Sequence, residues 1–440
     1  MILSDRLHPD RDVVADVRDR AGEALAQEFA TASAQVAEFV RRLAEAGDQT
    51  PSGLGERMRE ARRRLQEVID HAREAAGLES FLVEPSMETV MAGARDQPLV
   101  YLIGGQQTGG AAMLVGAGPR EKPVEVVWLE RLTFTKVQNR MRALGSAYAG
   151  RSTNPIGWQR TLDETLAWLW SAAMGPILDA LPTTVDAVTL VPCGVLRLLP
   201  WHAAWTAREG GGRNYVADRL AVAYNVNARY TSWSREAAET RSLAAGLVVD
   251  RPPRTDVPDL VHAVAEAEAV ARQLSVVVRL SGTAATRAAV LDAAPDVDVV
   301  HFACHASGDP ADPLDTRVLL AGHDEVTVRD LLGRNLERVR LAVLSACESA
   351  TTGGGSGDEA FAVTTGFLAA GVPGAIGSLW AVNDASAAAF VENLYAELGR
   401  GVSTAEAARR AQLAVRDASE HGRRPWAHPY YWAPFVLVGA

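Results

Sequence analysis

This sequence has few cysteines, no long apolar run and no excess of basic residues. The 440 residues include three cysteines, Cys193, Cys304 and Cys347. Three scattered thiols are too few for a disulfide framework, and their spacing matches no zinc-binding pattern. We therefore expect reduced thiols and no structural metal, as in a cytoplasmic protein.

Charge and hydropathy exclude two further classes of protein. The formal net charge is −10 at pH 7, whereas binding to phosphate backbones needs clustered Lys and Arg, so we expect no direct nucleic-acid partner. No run approaches the roughly 18 apolar residues that a membrane helix needs. Residues 1–20 alternate acids and arginines where a secretory signal would be apolar. We therefore expect a cytoplasmic chain with no membrane contact.

Apolar spacing predicts a helical segment at the start of the chain. Residues 10–46 and 54–77 carry apolar side chains every three to four positions, which is typical of amphipathic helices. The segment 48–53 combines Pro, Ser and Gly between them and breaks the helical pattern. We predict an N-terminal helical hairpin over residues 1–80, serving either as a packing or oligomerisation element or as a receptor for an activator.

From Pro98 onwards, short apolar runs replace the helical pattern. Three runs within residues 98–130 are separated by tight turns and predict antiparallel strands. Strand-like and helix-like segments then alternate, which indicates βαβ units and a largely parallel sheet. Because ligands of open α/β sheets bind outside the carboxyl ends of the strands, we expect the chemistry at that edge.

Two reactive residues follow predicted strands. His305 comes after the run DVDVVHFAC, and Cys347 ends LAVLSA before a glycine-rich loop. A thiolate can attack a carbonyl carbon, and a neighbouring histidine can transfer the protons. Their spacing of 42 residues is close to the interval of about 50 described for caspases. The alternative for His305 is a structural histidine that only hydrogen-bonds a loop carbonyl.

The other candidate residues and motifs fit structural roles. On a strand, His301 would lie roughly 13 Å from His305, too far to share a metal ion. Cys304 is expected to pack as a small hydrophobic residue, and Cys193 lies in a turn with no histidine nearby. The sequence contains no P-loop, no G-x-S-x-G motif and no dinucleotide fingerprint. We expect neither a cofactor nor a metal.

Several segments resemble the CHAT family of caspase-like cysteine proteases, in the clan of separases and caspases. They are HFACHA, LSACESA, GFLAAGVPGAIGSLWAVNDASA and the terminal YYWAPFVLVG. The resemblance covers about residues 95–440. It implies a caspase-like three-layer α/β/α domain, with a pseudo-caspase half over 95–245 and a catalytic half over 246–440.

The resemblance also assigns roles to the site residues. It implies that Cys347 is the nucleophile, that His305 transfers the proton to the leaving amine, and that the backbone N–H groups of Ala306 and Cys347 form the oxyanion hole. The family commonly has glycine after this histidine, where this chain has Ala306.

Substrate preference depends on three further residues. Ser345, two positions before the nucleophile, stands where caspases carry Gln and metacaspases carry Asp. The segment SLWAVND resembles a separase segment whose aspartate binds a basic P1 side chain, which implies that Asp384 favours Arg or Lys at P1. The alternative for Asp384 is a helix cap. Asp358 is another candidate acidic wall residue, with helix capping as its alternative.

We therefore expect a cysteine endopeptidase that cleaves a protein or peptide substrate. A separate activator or sensor protein, or a ligand, would order the loops at 306–318 and 349–358. The resemblance implies a role in prokaryotic defence or programmed cell death. The main alternative is a catalytically silent CHAT scaffold that regulates a partner by binding, although retention of His305 and Cys347 counts against it. A small-molecule thiol hydrolase is a further alternative that would need a closed apolar pocket. The substrate, the activator and the oligomeric state stay open.

Overall fold

The computed structural model describes residues 17–18, 21–46, 54–76, 86–105, 109–119, 122–307, 317–332, 334–345 and 363–440. The α-helices in this part of the chain are α1 (Glu23–Ala46), α2 (Leu54–Ala76), α3 (Met87–Gly93), α4 (Phe134–Ala149), α5 (Pro155–Leu169), α6 (Gly175–Ala180), α7 (Val216–Arg219), α8 (Ala228–Thr240), α9 (Ala263–Gln273), α10 (Arg287–Ala293), α11 (Val328–Leu332), α12 (Val363–Ala369), α13 (Asp384–Gly399), α14 (Thr404–Asp417) and α15 (Pro429–Trp432).

The strands in the same ranges are β1 (Leu99–Ile103), β2 (Gly110–Val115), β3 (Val124–Leu129), β4 (Ala187–Pro192), β5 (Trp205–Ala207), β6 (Arg213–Tyr215), β7 (Ala221–Tyr224), β8 (Ala245–Asp250), β9 (Ser275–Ser281), β10 (Val299–Ala303), β11 (Ala306–Ser307), β12 (Arg317–Leu319), β13 (Glu325–Thr327), β14 (Leu341–Leu344), β15 (Gly374–Ser378) and β16 (Phe435–Gly439). None of the helices described is long and apolar enough to cross a lipid bilayer.

Helices α1 and α2 pack against each other through an apolar core of their own, separate from that of the α/β part. Phe29 of α1 and Leu65 of α2 are buried in this core. Residues three or four apart lie on one face of a helix, so the apolar residues of each helix form one face that packs against the other. The helix predicted over residues 10–46 is interrupted at Gly22, which has a left-handed φ of 93°. The described residues 17, 18 and 21 before it are helical, and α1 begins directly after it at Glu23. The predicted break at 48–53 lies outside the described residues.

In the described ranges, the main sheet has eleven strands in the order β3-β2-β1-β4-β7-β16-β15-β14-β10-β8-β9. Strand β2 pairs antiparallel with both β1 and β3, as predicted. Strands β1, β4, β7 and β16 form one parallel block, and β15, β14, β10, β8 and β9 form a second. The blocks meet at the antiparallel pair of β15 and β16. The carboxyl ends of β8, β10, β14 and β15 therefore share one edge of the sheet.

Helices cover both faces of the sheet around β10. Successive side chains of a strand point to opposite faces. Phe302 lies against Phe367 of α12, with ring centroids 5.9 Å apart. His301 on the other face contacts Glu266 of α9 and Tyr395 of α13. The fold is thus the predicted three-layer α/β/α architecture. Strand β8 begins at the predicted boundary between the two halves, whose catalytic and non-catalytic roles stay predictions.

Candidate active site

His305 lies just beyond the carboxyl end of β10. Its Nε2–H donates a hydrogen bond of 2.7 Å to the backbone oxygen of Pro258. The alternative for His305 was a structural histidine that only hydrogen-bonds a loop carbonyl, and such a hydrogen bond is present. It uses only one ring nitrogen, however, and by fixing the proton on Nε2 it leaves Nδ1 as the nitrogen able to accept a proton. A histidine oriented in this way can serve as a base.

Pro258 belongs to the segment between β8 and α9, residues 251–262, which we call the strap. The strap begins at Arg251, whose left-handed φ of 43° turns the chain away from β8. It ends at His262, whose backbone N–H donates to Oδ2 of Asp384 at 2.8 Å. The carbonyl that orients His305 is therefore held in a segment fixed at its far end by Asp384.

Arg254 fixes the middle of the strap to the neighbouring strands. Its guanidinium donates to the backbone oxygens of Leu320 and Asp324 at 3.2 and 3.3 Å. It also pairs bidentately with Asp256 at 2.8 and 2.6 Å. This hydrogen-bonded guanidinium lowers the pKa of Asp256 to about 2. The pair therefore stays ionised across the neutral range.

Ala306 begins β11, which pairs antiparallel with β12. Its partner is Val318, and the Leu319 N–H donates to the His305 oxygen at 2.8 Å. This pattern makes Ala306 and Val318 a non-hydrogen-bonded pair, in which the backbone N–H points away from the partner strand. The Ala306 N–H is thus directed away from β12, as an oxyanion-hole donor requires.

Ser345 follows β14, the strand directly beside β10. Its backbone N–H and its hydroxyl both donate to the backbone oxygen of Phe302, at 3.2 and 3.1 Å. The hydroxyl of Ser345 is therefore bound to the neighbouring strand, and β14 ends at the same edge of the sheet as β10. The predicted site residues Cys347 and Asp358 lie outside the described residues.

Asp384 is the first residue of α13 and leaves the sheet edge after β15. The side chain of the preceding residue, Asn383, caps the helix by accepting the Ser386 N–H at 3.1 Å. Asn383 thus provides the helix cap that was the alternative role for Asp384. The half-buried Asp384 carboxylate contacts the strap through the His262 N–H instead.

A cavity of about 580 Å³ lies between His305 and the loop after β15. It is open and its lining carries charges of both signs, whereas the small-molecule alternative needed a closed apolar pocket. Its lining residues are Arg151, Arg254, Asp256, Val257, Pro258, His305, Ala306, Ser307, Arg317, Leu319, Glu325 and Ala381. The predicted residues His305 and Ala306 are thus brought together in one cavity, while Ser345 and Asp384 lie outside its lining.

Two residues near His305 have structural roles, as predicted. His301 is buried and hydrogen-bonded to Glu266 and Tyr395. Cys304 is buried as well, and desolvation raises the pKa of its thiol, with the carboxyl groups of Glu266 and Asp250 adding to the effect. A thiol held in this protonated form is a poor nucleophile.

The sequence analysis missed the Pro258 carbonyl and Arg151. The first is a backbone atom, which no side-chain pattern reports, although a proline-rich segment after β8 predicts an irregular connection. Arg151 follows α4, far upstream of His305, and neither its spacing nor its neighbours link it to the cavity. Only the folded chain brings these groups to His305.

Together these features define a mixed α/β domain with a histidine and a backbone N–H at a sheet edge. The profile of the CHAT domain matches residues 163–440, more than half of the chain. The chain therefore belongs to the CHAT domain family.

The curated relatives are much longer proteins. The chain is 29% identical over 198 residues to tetratricopeptide repeat protein 28 of Mus musculus, and 28% identical over 198 residues to that of Homo sapiens. Each match covers 37% of this chain and 8% of the relative. The chain thus spans a small part of the length of these relatives.

Two solved structures are similar to this chain at low sequence identity. One is the separase–securin complex of Saccharomyces cerevisiae, with a TM-score of 0.40, 11% identity, and coverage of 94% of this chain and 27% of that one. Another is the Arg-specific cysteine proteinase gingipain R, with a TM-score of 0.39, 10% identity, and coverage of 64% and 67%.

Proposed function

We propose that this chain is a cysteine endopeptidase with Cys347 as nucleophile and His305 as its base. One observation carries the proposal: Pro258 binds His305 Nε2–H, which leaves Nδ1 as proton acceptor at the edge where β14 leads toward Cys347. Membership of the CHAT family adds support. The substrate would be a protein or peptide bound in the cavity beside His305.

In the proposed reaction, the Cys347 thiol gives its proton to His305 and the thiolate attacks the carbonyl carbon of the scissile bond. The N–H groups of Ala306 and Cys347 stabilise the negative oxygen that forms. The carbon–nitrogen bond then breaks, and His305 returns its proton to the leaving amine. Water attacks the resulting thioester, His305 takes a proton from it, and cleavage of the carbon–sulfur bond frees Cys347 after proton return.

The preferred P1 residue in this proposal is Arg or Lys, bound by Asp384. The support is the place of Asp384 after β15, at the same edge as His305, and its half-buried carboxylate. One of its oxygens accepts the His262 N–H, and a carboxylate oxygen can accept a further charge-assisted bond from a guanidinium or ammonium group. Asp358 is an alternative acidic wall residue.

The proposal includes control by a separate activator or sensor protein, or by a ligand. The paired helices α1 and α2 have an apolar core of their own, which supports them as the part that binds such an activator. The proposed setting is a cytoplasmic pathway of prokaryotic defence or cell death. A catalytically silent scaffold is the competing function, and the orientation of His305 favours the enzyme.

The test is covalent labelling with an arginyl chloromethylketone, mapped by mass spectrometry. The Cys193→Ser background removes the exposed thiol among the described cysteines. We expect an adduct on Cys347 that disappears in Cys347→Ala and weakens at least tenfold in His305→Ala. His323→Ala, at an exposed histidine outside the cavity lining, is the matched control and should label normally.

The scaffold predicts a different outcome in the same assay. Labelling of Cys347 that is equally fast in His305→Ala would mean that His305 does not activate the thiol. Absence of any adduct, alone and with candidate partner proteins, would favour the scaffold over the protease. An alanyl chloromethylketone that labels as fast as the arginyl probe would contradict the basic P1 preference alone.

A further inference from the structure

The backbone and the ring of His305 are held by two different parts of the chain. The backbone oxygen accepts the Leu319 N–H of β12 at 2.8 Å, and the ring Nε2–H donates to the Pro258 oxygen of the strap at 2.7 Å. A hydrogen bond orients a ring only if its acceptor is itself fixed. The orientation of His305 therefore depends on what fixes the strap relative to β12.

Three hydrogen bonds join the strap to the turn between β12 and β13. The Gly322 N–H donates to the backbone oxygen of Pro253 at 3.0 Å. The guanidinium of Arg254 donates to the backbone oxygens of Leu320 and Asp324 at 3.2 and 3.3 Å. The hairpin of β12 and β13 thus binds the backbone of the histidine directly, and it reaches the acceptor of the histidine ring through the strap.

Arg254 is committed to contacts within the chain although it lines the cavity. Its side chain is 5% exposed, and besides the two backbone oxygens it binds both carboxylate oxygens of Asp256, at 2.8 and 2.6 Å. A guanidinium has five N–H groups, so these four bonds leave little of it to contact a substrate. Pro258 follows Arg254 by four residues. Loss of the guanidinium would therefore release the segment that carries the Pro258 carbonyl.

We propose that Arg254 is a positioning residue for His305 and acts through the Pro258 carbonyl. The inference rests on the proposed function, because the group that Arg254 orients is the proposed base. Arg254 fixes the strap, the strap fixes the carbonyl, and the carbonyl keeps the proton on Nε2 so that Nδ1 can accept one. The Leu319 N–H holds only the backbone of His305 and does not orient its ring.

The first readout is the tautomer of the His305 ring, whose measurement needs no catalysis. The full chain, labelled with ¹⁵N in its histidine rings, is studied by NMR at pH 8, above the ordinary pKa of histidine. The His305 signals are identified by their loss in His305→Gln. We expect the Nε2-protonated tautomer in the unaltered chain and a mixture of both tautomers in Arg254→Ala, because the acceptor that selects the first tautomer is no longer held in place.

Arg241→Ala is the matched control. The guanidinium of Arg241 also donates to two backbone oxygens, those of Val339 and Gly371 at 2.9 and 2.6 Å, away from the strap. Both alanine variants should therefore lower the free energy of unfolding in urea, but only Arg254→Ala should change the tautomer of His305. Arg254→Lys keeps the charge without the fork of a guanidinium. It should give a smaller change than Arg254→Ala, and it carries the test if Arg254→Ala does not fold.

The second readout is the rate at which the arginyl chloromethylketone labels Cys347. Arg254→Ala should slow this labelling about tenfold, because a base that is misplaced loses most of its effect, whereas Arg241→Ala should label at the rate of the unaltered chain. In the His305→Ala background, Arg254→Ala should slow labelling no further. A merely structural role for Arg254 would instead slow labelling by the same factor in both backgrounds.

Three outcomes would overturn the positioning role of Arg254. They are an unchanged tautomer in the Arg254 variants, the same change of tautomer in Arg241→Ala, and equal slowing of labelling with and without His305. Failure of the proposed function looks different, because Arg254→Ala would still change the tautomer of His305 while Cys347 would be labelled in no variant, nor in the unaltered chain.

Discussion

Removing the buried carboxyl group of Glu266 is expected to destabilise the three elements that carry the candidate site. Glu266 of α9 accepts the His301 Nε2–H at 2.7 Å, and His301 Nδ1 accepts the Tyr395 hydroxyl at 3.1 Å. All three side chains are buried. Strand β10 leads to His305, α9 follows the strap, and α13 begins at Asp384. The network thus joins the strand that leads to His305 with the two helices beside the strap and Asp384.

The magnitude follows from the burial of the group. Removing one partner of a buried hydrogen bond lowers the free energy of unfolding by about 1 to 3 kcal/mol, because the remaining partner loses its bond without gaining water. We expect Glu266→Ala to lie in that range. Glu266→Gln keeps an oxygen that can accept the His301 N–H, so its loss should be about 1 kcal/mol or less.

Urea unfolding followed by tryptophan fluorescence measures this effect. All ten tryptophans lie between residues 128 and 432, outside α1 and α2, so the signal reports the α/β part. The matched control is Glu268→Ala, an exposed glutamate on the same helix, which should change the free energy of unfolding by no more than about 0.5 kcal/mol. A Glu266→Ala variant as stable as this control would refute the reasoning.

Three further outcomes are expected. Burial lowers the pKa of His202 from 6.5 to about 4, so protonation of this histidine favours the unfolded state. The free energy of unfolding should therefore fall by about 3 kcal/mol as the pH drops from above 6.5 to 4. Urea unfolding at each pH measures this loss, which should be absent in His202→Gln. Because burial raises the pKa of the Cys304 thiol, iodoacetamide at pH 8 should alkylate Cys193 but leave Cys304 intact in the folded protein, as peptide mass spectrometry would report. Asp384→Asn keeps an acceptor for the His262 N–H and should lose only the Arg preference, whereas Asp384→Ala should also lower kcat on neutral substrates.

The strands of the site could be predicted from the sequence because each is a short apolar run buried on both faces. This holds for β10, β14 and β15, all of whose residues are buried. The start of α1 could not be predicted from periodicity, because the apolar spacing continues through Gly22, where the backbone leaves the helical conformation. Spacing reports which face is apolar, while a single left-handed residue decides where the helix begins.

The site could be predicted only as far as its chemistry resides in side chains near the strand ends. His305 and Ala306 follow β10 directly, and the parallel order of the strands sets their edge. The hydrogen-bond partner of His305 is a backbone carbonyl. Arg151 lies at the cavity because its neighbour Tyr148 accepts a hydrogen bond from the backbone N–H of Ala381. Contacts between backbone atoms, or between segments far apart in the chain, leave no periodic signal in a sequence.

The strap couples the two ends of the proposed substrate site. Within five residues it offers the Pro258 carbonyl to His305 and the His262 N–H to Asp384. A basic side chain that draws the Asp384 carboxylate away from His262 would therefore release one end of the segment that orients the base. Arg254, whose side chain is 5% exposed and bound to two backbone oxygens, holds the middle of the strap independently. The proposed recognition of a basic side chain at Asp384 would thus be linked to the orientation of His305 through one short segment, and Arg254 would limit how far a movement near Asp384 reaches Pro258.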